Sequence, residues 1–178
     1  MDYGVKQNII ENFINRGCDV TVYPATTTAE EVLNDDPDLI FLSNGPGDPD
    51  DLDEIVGNVK KMIGKKPIVG ICLGHQILAR VFGGKTGKLK FGHRGGNHPV
   101  KDFEENKVFI TAQNHGYYVT DVPECMNVTQ VNLNDNTVEG MRHKELPIYS
   151  VQYHPEACPG PKDSQYIFDK FLDVLNNK

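Results

Sequence analysis

One cysteine occupies a position at which proteins often place a nucleophile. The apolar run 67–71 predicts a buried strand and residues 74–82 predict a helix, with Cys72 between them in the stretch GICLG. Glycines on both sides of such a turn tolerate the close packing and strained backbone of a nucleophile elbow. The start of a helix favours a thiolate, and the backbone N–H of Leu73 is free to face a developing oxyanion. The stretch therefore indicates a nucleophilic thiol, with a small cysteine packed in a glycine-rich bend as the alternative.

A histidine and a glutamate follow the last predicted strand. A cysteine nucleophile needs a base, and that base needs an acceptor to orient it. In the stretch SVQYHPEA, His154 and Glu156 are two residues apart, so their side chains share a face if the backbone is extended. We therefore expect Glu156 to hold the ring of His154. A surface loop with an ordinary histidine and glutamate is the alternative.

Three further histidines give weaker signals. His75 lies on the first turn of the helix after Cys72, a position that argues against a role as the base. His93 and His98 belong to GHRGGNHP, which is too glycine-rich for a closed metal cage and has no acidic or thiol partner at ligand spacing. We therefore predict no metal site, and the sequence has no nucleotide or flavin motif.

The first half of the chain alternates between predicted helices and strands. Apolar residues at helical spacing predict a helix over 9–14 that stops at Gly17, and Thr28 followed by Glu31 predicts a capping box that opens a short helix. Strands are predicted over 19–24, 39–42 and 67–71, and longer helices over 51–63 and 74–82. Alternation of this kind is typical of a parallel, doubly wound sheet.

Beyond Gly84 the pattern changes to short strands separated by Gly, Asn or Pro. These strands are predicted over 85–91, 97–101, 107–112, 117–120, 126–131, 137–142 and 148–153, and a closing helix over 163–175. Such a succession favours an antiparallel extension of the sheet. The predicted fold class is thus α/β, a mostly parallel open sheet flanked by helices with an antiparallel extension, of flavodoxin-like type, in one domain over 1–178.

Length, charge and cysteine spacing exclude several classes of function. A chain of 178 residues suits one α/β domain, and a formal net charge of −7 argues against nucleic acid or an anionic membrane as a partner. The cysteines are scattered, so we expect reduced thiols in the cytoplasm; they are Cys18, Cys72, Cys125 and Cys158. No apolar run approaches the ~20 residues of a membrane helix, and no signal-peptide pattern is visible.

Three motifs in this order strengthen the functional interpretation: SNGPGDP (43–49), GICLGHQ (70–76) and YHPEA (153–157). Together they resemble the class I (triad) glutamine amidotransferase domains, essentially from end to end. Three further stretches, MDYGVKQNI, GHRGGNHPV and ITAQNHGYYV, resemble the glutaminase half of carbamoyl-phosphate synthetase, in its small subunit. The resemblance implies the mixed sheet flanked by helices of that family.

The resemblance also implies a role for each matching residue. Cys72 is the nucleophile, His154 the base and then the acid, and Glu156 the orienting group. The backbone N–H groups of Gly45 and Leu73 form the oxyanion hole. The residues that contact glutamine are Gly47, Gln76, Asn114, Gly116 and Tyr117. The stretch QNHGY predicts a tight turn between two strands whose backbone holds the amino-acid end of the substrate, with a simple hairpin turn as the alternative.

The implied reaction is hydrolysis of glutamine to glutamate and ammonia through a cysteinyl thioester. The ammonia passes to a large synthetase subunit, which holds ATP and metal, so no cofactor is expected in this chain; carbamoyl phosphate serves pyrimidine and arginine biosynthesis. Lys6 matches a lysine near the same pocket. Small subunits of this family carry an N-terminal domain, and only MDYG precedes the first predicted helix. We therefore expect that domain to be absent and the first strand to be truncated.

Three other functions stay open on the sequence alone. The first is an amidotransferase that serves another synthase, of anthranilate or GMP type. The second is a catalytically silent regulatory or interaction module. The third is a hydrolase of other γ-glutamyl or peptide substrates. The match of Gln76 and QNHGY favours free glutamine as the substrate.

A run of basic residues in the second half of the chain has two interpretations. It is a docking edge for an acidic partner, or it is a solvated strand. The run consists of Lys85, Lys88, Lys90 and Arg94.

Overall fold

Seven strands form one mixed sheet in the computed structural model, which describes residues 1–176. The strands are β1 (Ile40–Leu42), β2 (Ile68–Ile71), β3 (Lys85–Asp102), β4 (Lys107–Asp121), β5 (Met126–Asn132), β6 (Val138–His143) and β7 (Ile148–Val151). Their order across the sheet is β1-β2-β7-β6-β5-β3-β4. The first three in this order are parallel and all the other pairings are antiparallel, which confirms the predicted fold class.

Helices cover both faces of the parallel part of the sheet. They are α1 (Gln7–Ile14), α2 (Ala29–Asn34), α3 (Asp53–Lys60), α4 (Leu73–Val81) and α5 (Ile167–Asp173). One apolar cluster packs α2, α3 and α4 against residues such as Leu42, and the other joins Phe13 of α1 to Phe168 and Phe171 of α5. No helix within residues 1–176 has the length and apolar character needed to cross a membrane.

The predicted helices form, and two of them are shorter than expected. The capping box opens α2, because Thr28 and Glu31 each accept the other's backbone N–H. The helix expected over 51–63 is α3, preceded by a short 3-10 turn at Pro49–Asp51. The helix expected over 163–175 is limited to α5, whose buried face includes Ile167, as predicted.

The strand predicted over 19–24 is wrong. This segment makes one parallel bridge, between Asp2 and Pro24, and Asp2 N donates to Tyr23 O at 2.8 Å. A strand needs a neighbour that continues the ladder of hydrogen bonds. Among residues 1–176, Asp2 is the one bridging partner of this segment, and a single bridge does not make a strand.

The short strands predicted on either side of the glycine-rich stretches are parts of two long strands. Segments 85–91 and 97–101 both belong to β3, and 107–112 and 117–120 both belong to β4. The QNHGY stretch is therefore not a tight turn. It lies inside β4, where His115 pairs with His93 and Asn114 with Arg94. Each stretch alone has the composition of a turn, but together they supply each other's backbone hydrogen bonds.

Candidate active site

Cys72 lies at a strained junction between β2 and α4. Its φ of 53° and ψ of −101° are rare for a residue with a side chain. The backbone N–H of Cys72 donates to Val151 O at 2.9 Å, and Gln76 N donates to Cys72 O at 3.2 Å. The surrounding backbone therefore holds the strained conformation, and the cysteine itself is 5% exposed. Strain of this kind collects at functional sites, which favours the nucleophile over simple packing.

Two glycines allow α4 to begin directly against β1. A Cβ atom on Gly74 would lie 2.2 Å from the carbonyl oxygen of Leu42, and one on Gly70 would lie 2.9 Å from the carbonyl carbon of Gly74. The backbone N–H of Gly74 donates to Ser43 O at 3.1 Å. This close approach brings the first turn of α4 next to the loop that follows β1.

Gly45 and Leu73, the two residues expected to form an oxyanion hole, lie side by side. A Cβ atom on Gly45 would lie 2.8 Å from Leu73 Cδ2 and 2.2 Å from Tyr3 O. The first residues of the chain brace this loop, because Asn44 Nδ2 donates to Gly4 O at 2.9 Å. The arrangement places two backbone segments of different elements beside the elbow.

His154 is held by Glu156, as the sequence predicts, but across a turn rather than along an extended strand. His154 Nδ1 lies 2.7 Å from Glu156 Oε1, and the backbone N–H of His154 donates to Ala112 O at 2.9 Å. Lys6 Nζ donates to Glu156 Oε1 at 3.0 Å and lies 3.3 Å from His154 Nδ1. Contact of Glu156 with Nδ1 leaves Nε2 of His154 for proton exchange with a reacting group.

Charges around His154 keep its ring protonated at neutral pH. Burial lowers the pKa of His154, but interactions with Cys72 and Glu156 outweigh burial and raise it to about 9. Burial raises the pKa of the Glu156 carboxyl, but His154 and Lys6 hold that pKa below its usual value. The site therefore contains an imidazolium that can donate a proton to a leaving group.

Four of the five residues expected to contact glutamine lie on the loop after β1 or on β4, namely Gly47, Asn114, Gly116 and Tyr117. Open space lies beside Gly47 and Gly116, and the side chain of Asn114 is exposed. The Asp48 carboxylate raises the pKa of Tyr117, which shows that the two elements meet there. Gln76 differs from the others because it is 3% exposed and donates from Nε2 to Tyr117 O at 2.8 Å. In this structure Gln76 anchors β4 to α4.

Sequence reasoning assigned no role to a buried polar cluster next to these residues. Gln113 and His115 of β4, His93 of β3 and Glu139 of β6 are all buried, and Asp135 lies at their edge. His115 and Gln113 belong to a motif that the sequence had singled out, so that motif was the available signal. The sequence shows no acidic residue at ligand spacing from His93, but the fold brings Glu139, from a distant strand, next to it.

Three members of this cluster could also hold a metal. One potential ligand atom each of His93, His115 and Glu139 lies within 4.8 Å of the others. Both ring nitrogens of His115 already face protein oxygens, Tyr117 O at 2.8 Å and Gln113 Oε1 at 2.6 Å. The geometry therefore favours a hydrogen-bonded ion pair, and the absence of a metal site stays a prediction.

The buried histidines lead us to expect the highest unfolding free energy near pH 6.5. Burial lowers the pKa of His75 and His115 from 6.5 to about 3. Their contribution to the free energy of unfolding is therefore complete above pH 6.5 and is lost as the pH falls towards 3. The pKa values of His93 and His154 are raised to about 9, so their contribution is present below pH 6.5 and is lost as pH rises through 9. Each histidine adds a slope of at most about 1.4 kcal/mol per pH unit.

Urea unfolding between pH 4 and pH 10 measures this dependence. His75 Nδ1 lies 2.9 Å from Ser150 Oγ, apart from the proposed chemistry, so H75N serves as the matched variant. We expect H75N to have a shallower loss below pH 6.5 and an unchanged alkaline limb. Stability that rises steadily from pH 6.5 to pH 9 would contradict the assignment.

Comparison with known proteins gives one family and several close relatives. A family model described as glutamine amidotransferase class-I matches residues 1–174. Carbamoyl phosphate synthase small chain of Clostridium perfringens is 69% identical over 172 residues, which are 97% of this chain and 49% of that protein. The protein of that name in Methanocaldococcus jannaschii is 52% identical over 180 residues, covering 100% of this chain and 51% of that protein. The chain thus spans about half the length of the curated relatives it matches.

A solved structure shares the fold at lower sequence identity. The crystal structure of a Thermoplasma acidophilum protein, described as one of the subunits of a GMP synthase, matches with a TM-score of 0.86 and 25% identity. The match covers 99% of this chain and 92% of that chain. This neighbour supports the mixed α/β sheet described above for the chain.

Proposed function

Since the chain belongs to the class I glutamine amidotransferase family, we propose that it hydrolyses L-glutamine to glutamate and ammonia, with residues 1–178 as one amidotransferase domain. One observation carries the proposal: the strained Cys72 lies at the start of α4, and the Glu156-bound ring of His154 interacts with it. A thiol and a histidine oriented by a carboxylate form the arrangement that acyl transfer to cysteine requires.

The proposed reaction begins with attack of the Cys72 sulfur on the side-chain amide carbon of glutamine. The amide π electrons move to oxygen, and backbone N–H groups of Gly45 and Leu73 stabilise that oxyanion. The protonated His154 gives its proton to the leaving nitrogen, so that ammonia departs and a glutamyl thioester remains. The neutral His154 then takes a proton from water, which attacks the thioester. Collapse of the second tetrahedral species breaks the carbon–sulfur bond, restores the sulfur anion beside the protonated His154 and releases glutamate, whose carboxyl proton passes to the ammonia or to solvent.

The substrate is proposed to lie in the gap between the β1 loop and β4. Gly47, Asn114 and Gly116 border open space there, and an amino acid brings both a carboxylate and an ammonium group that backbone and amide groups can bind. Tyr117 contributes backbone held by Gln76. Lys6 is proposed to stabilise the Glu156 carboxylate rather than to touch glutamine.

The proposed destination of the ammonia is a large synthetase subunit that makes carbamoyl phosphate in the cytoplasm. The names of the relatives that are 52–69% identical support this choice. ATP and metal are proposed to bind that subunit, and no nucleic acid or membrane partner is proposed. A GMP-type synthase is the second candidate, supported by the structural neighbour at 25% identity. Co-purification of the chain with one synthetase or the other distinguishes these two proposals.

Ammonia release from L-glutamine, measured with and without iodoacetamide, tests the proposal. We expect Cys72 to be alkylated faster than Cys18 or Cys125, because Cys72 lies at the start of a helix and interacts with His154, whereas burial raises the pKa of Cys18. Ammonia release should fall in parallel with labelling of Cys72, and glutamine should slow that labelling. Peptide mass mapping separates Cys72 from the exposed Cys158.

The outcomes separate the proposed function from its alternatives. Slow labelling of Cys72 with no protection by glutamine would contradict the nucleophile. Release of ammonia or amine from other γ-glutamyl compounds, but not from glutamine, would indicate a different hydrolase. Rapid labelling without any effect of glutamine would favour a silent interaction module.

A further inference from the structure

A buried ion pair lies directly behind the proposed glutamine site. His93 Nε2 lies 2.8 Å from Asp135 Oδ2, and His93 Nδ1 lies 3.6 Å from Glu139 Oε1. The side chain of Glu139 is 0% exposed and that of His93 is 10% exposed. These residues come from β3, β6 and the turn between β5 and β6, so the pair joins three parts of the antiparallel extension.

Glu139 depends on His93 for its charge compensation. Among residues 1–176, His93 is the cationic group within ion-pair distance of Glu139. The nearby carboxylates of Glu139 and, secondarily, Asp135 raise the pKa of His93 to about 9 against the effect of burial. A carboxylate without access to water is stable only when a cation or several donors surround it. Loss of His93 leaves the buried Glu139 with the amide groups of Gln113 and Asn132 and with no cation among residues 1–176, whereas loss of Glu139 leaves His93 paired with Asp135.

A series of close polar contacts leads from Glu139 to the proposed site. The neutral ring of His115 has one N–H, so one of its two contacts with oxygen in this series is a hydrogen bond. Glu139 Oε1 accepts from Gln113 Nε2 at 2.8 Å. Gln113 Oε1 lies 2.6 Å from His115 Nε2, and His115 Nδ1 lies 2.8 Å from Tyr117 O. The same oxygen accepts from Gln76 at 2.8 Å, on the helix that begins after Cys72. The first and last links join β4 to β6 and to α4, whereas the two contacts of His115 lie within β4 and reach its backbone at Tyr117 O.

The backbone pairing of β4 is short at this place. Only the pairs His93–His115, Arg94–Asn114 and Gly95–Gln113 lie between two register shifts of the β3–β4 ladder. Irregular pairing on both sides leaves this segment free to bend, because bulges bend a strand and leave backbone groups unpaired. The side-chain contacts of Gln113 and His115 are therefore needed to fix the residues next to them.

We infer that the His93–Glu139 ion pair positions residues 113–117 of β4 for glutamine binding, so that both residues control affinity for the substrate rather than the chemical step. The inference rests on the proposed function, since it names what that site uses to hold its substrate. His93 and Glu139 act through Gln113 and His115, so they are positioning residues.

Steady-state kinetics of H93Q, E139Q and the double variant test the inference. We expect each single variant to raise KM for glutamine about tenfold or more while kcat stays within about threefold. The double variant removes both buried charges, so its KM should resemble that of a single variant instead of showing the product of the two effects. N134A, an exposed position in the same turn as Asp135, is the matched control and should keep both constants. Unchanged KM in both single variants, or a fall in kcat alone, would overturn the inference.

Hydrogen exchange gives a readout that does not depend on catalysis. Peptides covering 111–118 should exchange faster in H93Q and E139Q than in N134A, while peptides covering 68–71 keep their protection. Equal exchange over 111–118 in all variants would overturn the inference whether or not the chain releases ammonia. Failure of the unmodified chain to hydrolyse glutamine would instead contradict the proposed function.

Discussion

Replacing Cys72 with serine is expected to reduce ammonia release from glutamine by about 10³-fold or more, in line with the loss of a nucleophile in other acyl-transfer sites. The expected size of the effect follows from the electrostatics of the site. Burial lowers the pKa of His154, and its interactions with Cys72 and Glu156 raise that pKa to about 9, so the Cys72 side chain is itself part of what keeps the ring protonated. Serine is a weak nucleophile at its free pKa and needs a base to accept its proton, whereas cysteine is the more reactive nucleophile near neutral pH. The serine variant would thus lack the reactive sulfur and the interaction that it makes with His154.

Thiol–hydroxyl exchange is a small change in volume, so C72S should unfold at nearly the same urea concentration as the unmodified chain. C125S is the matched control, because Cys125 is only partly buried and packs with the apolar cluster on the α4 side of the sheet. We expect C125S to keep its ammonia release. Activity of C72S within tenfold of that of C125S would rule out Cys72 as the nucleophile.

Replacing Gly74 with alanine is expected to destabilise the fold by about 3 kcal/mol or more, at the upper end of overpacking effects. The added Cβ would lie 2.2 Å from Leu42 O and 2.8 Å from the Leu42 carbonyl carbon. These are backbone atoms of a buried strand, so no rotation of a side chain relieves the overlap. Either β1 or the start of α4 must move. The hydrogen bond from Gly74 N to Ser43 O, 3.1 Å long, is lost as they separate.

Gly57 offers a control of the same chemical change in a helix. A Cβ atom on Gly57 meets nothing within 4 Å, and Gly57 lies in the middle of α3. Alanine in a helix interior is favoured over glycine by roughly 0.5–1 kcal/mol, so G57A should unfold at a slightly higher urea concentration. A G74A variant as stable as G57A would show that β1 and α4 are not in tight contact. G74A is also expected to lose ammonia release, because the same movement displaces Leu73 from Gly45.

Features that depend on near neighbours in the chain could be predicted. The Thr28–Glu31 capping box, the buried strand before the elbow and the elbow itself all follow from residues fewer than about ten positions apart. A capping hydrogen bond joins residues three positions apart, and an apolar run is itself the buried segment. The residues that form such a feature are therefore the same ones that a short stretch of sequence shows. The pairing of His154 with Glu156 also belongs here, although a turn rather than an extended strand brings the two side chains together.

Two predictions that depended on which distant segment a strand pairs with were wrong. The segment 19–24 has the composition of a strand, but Asp2 is its one bridging partner within residues 1–176. QNHGY and GHRGG have the composition of turns, but they pair with each other inside β3 and β4. Composition describes how a segment behaves alone, whereas strand formation depends on hydrogen bonds to another segment.

Contacts between distant charged residues come from packing alone. Lys6 and Glu156 are 150 positions apart, and His93 and Asp135 are 42 apart, yet each pair is within hydrogen-bond distance. Nothing in the residues near His93 indicates that Glu139 lies beside it. Folding of the sheet buries both His93 and Glu139, and a buried charge is stable only when it has a partner. Residue types and short spacings thus indicate the proposed nucleophile and its proposed base, while burial in the folded sheet determines the ionisation of His154 and Glu156 and the side chains that hold them in place.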